Sequence, residues 1–162
     1  MNTESLEKGT QQNNSAPKRT QISEIGKVAL IRRLFEGTQY NNSTSQMFGG
    51  RIPDKAGRTK DVNNFLTVQK TMLEGIDFDL TYTPLKHLGY KCVTAVTGEL
   101  YAEFSHPKVM DVRIGISAKL DFAQIGEVWS GIVSAAREHG YKEVSLDLVP
   151  SPNGLAVSIS SV

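Results

Sequence analysis

The stretch from Leu73 to Val96, reading LEGIDFDLTYTPLKHLGYKCVTAV, constrains the chain most, because it fixes a junction between a strand and a long helix. Thr83 has an N-cap side chain, and Pro84 follows at the first helical position, where its missing N–H costs nothing. Leu85, Leu88, Cys92, Val96 and Leu100 then recur at helical spacing. One face of this helix is expected to bury against a sheet.

Upstream, residues 1–21 are polar, with a Gln11-Gln12-Asn13-Asn14-Ser15 run and Lys18-Arg19 behind Pro17. Such a composition buries too little apolar surface to offset the cost of ordering the backbone, so a disordered tail is expected, with a partner-docking arm as the sharper reading. Residues 22–162 are expected to form one domain. Ser23 is placed to cap a helix whose Ile25, Val28, Ala29, Ile31, Leu34 and Phe35 form an apolar band ended by Gly37. Residues 38–64 read as loop, with Gly49-Gly50, Pro53 and Gly57, and Phe65 to Gln69 as a strand.

Downstream, Val109 to Ser117 alternates, with Met110, Val112, Ile114 and Ile116 on one face and Asp111, Arg113, Gly115 and Ser117 on the other. Asp121 caps a third helix, where Ile125, Val128, Trp129, Ile132, Val133 and Ala136 repeat at helical spacing before Gly140. Val144, Leu146 and Leu148 alternate in a strand, a Pro150-Ser151-Pro152-Asn153-Gly154 turn follows, and Leu155, Val157 and Ile159 form a closing strand. These two strands are expected to pair as a hairpin. The order predicts an α/β (α+β) sandwich: one mixed sheet of about four strands covered on one face by helices.

Eighteen basic against 17 acidic side chains leave a net charge of +1, which gives no bulk drive toward nucleic acid or an anionic membrane. No apolar run approaches the roughly 20 residues of a membrane span, and the first residues lack a signal-peptide core, so a soluble cytoplasmic protein is expected. The single cysteine, Cys92, lies on an apolar helix face and reads as a small buried hydrophobe. His87, His106 and His139 have no metal-ligand spacing, Asp77 and Asp79 read as solvated or capping carboxylates, and Trp129 reads as core.

Glu74-Gly75-Ile76-Asp77-Phe78-Asp79-Leu80, Pro84-Leu85-Lys86-His87-Leu88-Gly89-Tyr90-Lys91 and Asn153-Gly154-Leu155-Ala156-Val157-Ser158 together resemble the N-terminal domain of thiamine-monophosphate kinase. That family lies within the AIR synthase (PurM-like) superfamily, and Ile22-Ser23-Glu24-Ile25-Gly26 extends the likeness to roughly residues 20–162. The resemblance implies a PurM-like N-terminal domain, a dimer through the uncovered sheet face, and ATP with magnesium as cofactors of a phosphoryl transfer.

The carboxylates that such chemistry needs are degraded. The early Gly-Asp-Asp has no counterpart in Gly49-Gly50-Arg51-Ile52-Pro53-Asp54, and the strand-end aspartate falls on Lys70. The helix motif falls on Thr97-Gly98-Glu99, and Gly-Gly-Asp-Thr falls on Ser145-Leu146-Asp147-Leu148. A cation at Lys70 repels magnesium and can pair with Glu99 or Asp147. The sequence therefore predicts a non-catalytic copy without metal or cofactor, with a vestigial cleft at Lys70, Glu99 and Asp147. It is expected to act as a homodimer, or with a true kinase or larger assembly. Met110, Val112, Ile114 and Ile116, or their opposite-face neighbours, are the seam candidates. The alternatives are an ATP- and magnesium-dependent thiamine-phosphate kinase domain or fragment, and a small-ligand sensor using the same cleft.

Overall fold

The computed structural model describes residues 21–40 and 66–162. The tail, the early loop with Gly49-Gly50 and the strand start at Phe65 fall outside them. In chain order the elements are α1 (Lys27–Phe35), β1 (Val68–Leu73), α2 (Leu85–Ala102), β2 (Val109–Ile116), α3 (Phe122–Glu138), β3 (Glu143–Pro150) and β4 (Ala156–Ser161). A short 3₁₀ turn, Ile22–Glu24, precedes α1.

Local chemistry explains most boundaries. Asp121 caps α3 through a full capping box: its carboxylate accepts from the Gln124 amide, and the Gln124 side chain accepts from the Asp121 amide. Gly140 follows the helix at φ +79°, a conformation glycine adopts without strain. At α2 the start differs by one residue from expectation. Pro84 takes the N-cap position with φ −59°, and Thr83 lies outside the helix. Gly26, not Ser23, is the N-cap of α1, and it brings no side-chain acceptor.

The sheet order is β1-β4-β2-β3. β2 and β3 are parallel, joined through α3, while β4 runs antiparallel to both β1 and β2. The expected β3–β4 hairpin does not form. Instead the chain leaves β3, crosses the end of β2, where the Ser151 amide donates to the Ile116 carbonyl, and inserts β4 between β1 and β2. The result is a split strand-helix-strand unit in which β4 fills the gap that β1-α2-β2 leaves open.

Cα partners share a face of the sheet, so the register sorts the side chains. Met72, Val157, Ile114 and Leu148 form one row and Ile159, Val112 and Leu146 another, all buried in a common core with α2 and α3. Met110, Val112 and Ile114 are 0% exposed and Ile116 is buried beside them. These four seam candidates are thus already covered within the chain by helices, and only their opposite-face neighbours remain for an interface.

The two covering helices cross in close backbone contact. A Cβ at Gly89 would strike the Val128 carbonyl, and one at Gly131 would strike the Lys86 carbonyl. Each glycine therefore admits the other helix's backbone. On the far side, α1 packs on β3 and α3, with the Phe35 and Trp129 rings 4.9 Å apart, so it shields the edge that β3 would otherwise expose. No described helix is long and apolar enough to cross a membrane.

Candidate functional site

The carboxylates and cations picked out in the sequence separate into two groups on opposite faces of the sheet. Lys70 pairs with Ile159 across the sheet and so points to the helix side, where its Nζ lies 2.8 Å from Glu99 Oε1 on α2. Asp147 pairs with Arg113, whose next partner is Ser158 and then Thr71, and this row faces away from α2 and α3. Lys70 and Glu99 are brought together. Asp147 is not with them, so the three do not share one cleft.

Asp147 has partners that the sequence did not indicate. Lys27, in the first turn of α1, forms an ion pair with one carboxylate oxygen, and Arg113 Nε lies 3.3 Å from the other. The Lys27 contact foremost, against a smaller desolvation cost, holds the Asp147 carboxyl below the usual aspartate range. Arg113 was legible as a wet-face residue of β2. Lys27 was not, because its approach depends on α1 docking beside a strand more than a hundred residues later.

Two rows of the open face are polar, and a third, Leu73, Ala156, Gly115 and Val149, is apolar. Thr71 Oγ1 and Ser158 Oγ are 3.0 Å apart, and the Ser145 hydroxyl donates to the Asp111 carboxylate. Gln69 and Ser160 continue that second row. The open face is therefore mixed, with Leu73, 40% exposed, at the end of its apolar row. Beside that row lie the Thr71–Ser158 pair and one Arg–Asp–Lys cluster, while Ser145 and Ser160 are buried.

The Glu-Gly stretch after β1 is a structural clasp. Glu74 accepts a 2.7 Å hydrogen bond from the Leu155 amide, and a Cβ at Gly154 would collide with its carboxylate. Asp77 accepts from the Leu73 amide at 2.8 Å and Asp79 from the Thr81 amide at 2.7 Å. All three acids are engaged by backbone amides: Asp77 and Asp79 order the β1–α2 loop, and Glu74 ties it to the start of β4. Cys92 is buried with its thiol 3.4 Å from the Met72 sulfur, and burial pushes its pKa up to about 12, so it is no nucleophile at neutral pH. His87 and His106 are exposed, and Trp129 is core. No group of three or more His, Cys, Asp or Glu among the described residues is arranged to hold a metal ion.

No protein-family model matches the sequence, and no curated protein matches it. Solved structures do match. The thiamine-monophosphate kinase of Aquifex aeolicus aligns with a TM-score of 0.55 at 17% identity, over 59% of this chain and 32% of that one. AaThiL complexed with AMPPCP and TMP gives 0.55 at 16% identity, over 59% and 30%. The protein tt0281 from Thermus thermophilus gives 0.51 at 18%, over 86% and 44%. The fold is PurM-like.

Identities this low establish the fold alone, and the chain spans well under half the length of the structures it matches. Glu99 on α2 and Asp147 on β3, the two carboxylates that the sequence singled out, each meet a lysine: Glu99 meets Lys70 and Asp147 meets Lys27.

Proposed function

We propose that this PurM-like domain is non-catalytic and acts by association, as a homodimer or as the partner of a true kinase or larger assembly. The observation that carries the reading is the Lys70–Glu99 ion pair: the ammonium group neutralises a carboxylate that a magnesium site would require. The ion pairs of Asp147 with Lys27 and Arg113 support it from the other face. Association is best served by the open face, where Leu73, 40% exposed, lies beside the row of Thr71 and Ser158.

The competing reading is an ATP- and magnesium-dependent thiamine-phosphate kinase domain that needs a further domain. It is favoured by the likeness to AaThiL complexed with AMPPCP and TMP. Calorimetric titration of the full chain with ATP and magnesium separates the two. The non-catalytic reading predicts no saturable heat. Tight magnesium-dependent binding that Asp147→Asn abolishes would establish the kinase reading instead.

A further inference from the structure

Beside the α1–β3 contact lies an open cavity of about 500 Å³, at the carboxyl ends of the parallel strands β2 and β3. Ile25, Leu30, Ile116, Leu148 and Pro150 give it an apolar floor. Crevices at the carboxyl ends of parallel strands are common ligand positions, because the loops there diverge and leave space. Its volume falls in the range of small-molecule sites.

Three polar features converge on it. Ser117 lines the cavity at 4% exposure; its oxygen accepts from the Lys119 amide at 3.1 Å, and its proton is donated to no described group. A buried hydroxyl proton without an acceptor calls for one. The first turn of α1 opens on the cavity at Gly26 and Lys27, and its N–H groups have no side-chain cap. Lys27 lines the cavity, and the carboxylate of Asp147 that it meets is shared with Arg113, so two cations divide one negative charge beside the lining. None of the lining residues is acidic.

We propose that this cavity binds a small molecule with an apolar body and one carboxylate head, the head meeting Lys27, the α1 first turn and the Ser117 hydroxyl. The apolar lining takes the body, and the unbalanced charge selects an anion over a neutral analogue. The site shares Lys27 with the Asp147 ion pair but lies apart from the Lys70–Glu99 pair that carries the non-catalytic reading, so ligand binding here and metal binding there are tested separately.

The test is a titration of the full chain with sodium octanoate and with 1-octanol, followed by amide chemical shifts. Octanoate should shift the Lys27, Ser117 and Ser151 amides saturably and bind about tenfold more tightly than 1-octanol, the difference that one charge-assisted contact supplies. Lys27→Gln should bring octanoate down to the level of 1-octanol, and Ala118→Trp, an exposed lining residue, should block both. The amide spectrum of each variant reports whether it is folded. Absence of saturable shifts at those amides, shifts centred elsewhere, or octanoate binding that Lys27→Gln leaves unchanged would each overturn the proposal.

Discussion

Lys70 and Glu99 are each close to half exposed, with side-chain values of 42% and 45%, so their 2.8 Å contact is a surface ion pair in energetic terms. Such pairs contribute about 0.2–1 kcal/mol, and either Lys70→Gln or Glu99→Gln should change unfolding free energy in urea by less than about 1 kcal/mol. The pair matters for what it excludes, not for what it stabilises. Asp147 gives a pH-dependent counterpart. A carboxyl held below its unfolded value contributes stability that is fully present above about pH 3.9 and is lost as pH falls through the folded value. Solvent at this partly exposed site weakens that contribution. In a carbon-detected NMR titration the Asp147 carboxyl should titrate below the ordinary aspartate range, and Lys27→Met should move its midpoint upward; an unchanged midpoint would show that Lys27 does not govern it. The sequence made Lys70 conspicuous because a single position in a recognisable pattern had changed sign. It could not pair Asp147 with Lys27, because that contact is set by tertiary docking.

Elements were legible wherever periodicity was long and the ends were capped. The apolar repeat and Asp121 gave α3, and the strict alternation of Met110, Val112, Ile114 and Ile116 gave β2. The pairing of β4 was not legible. A Pro-Ser-Pro-Asn-Gly turn between two alternating segments carries the composition of a hairpin, yet register across a sheet is settled by which gap a strand can fill, and β1-α2-β2 leaves one of strand width. The Glu74 clasp on the Leu155 amide then holds β4 in that gap. Nor could the sequence separate Gly89 and Gly131 from other helical glycines, since their purpose appears only when α2 and α3 cross. Gly131→Ala should force the helices apart and cost about 1–3 kcal/mol, the range for overpacked cores, read as a fall in the thermal midpoint. Gly98→Ala, on the same helix as Gly89 but with open space at its Cβ, should stabilise by up to about 1 kcal/mol through helix propensity.

For the molecule as a whole, the sheet divides into a helix-covered apolar face and an open, mixed face, and the proposed association would use the second. The seam candidates chosen for hydrophobicity lie on the inner face of β2, because alternation shows that two faces differ and not which one meets helices. An interface on the open face would rest on the exposed Leu73 side chain and on hydrogen bonding by Thr71 and Arg113. The central proposal is nonetheless electrostatic: lysines pair with the two carboxylates, Glu99 and Asp147, that the sequence resemblance would assign to a divalent-ion site. Manganese, a paramagnetic substitute for magnesium, reports this directly through broadening of nearby amide resonances in the presence of ATP. The account predicts no selective broadening at Lys70, Glu99 or Asp147. Selective, saturable loss of those three signals would contradict it.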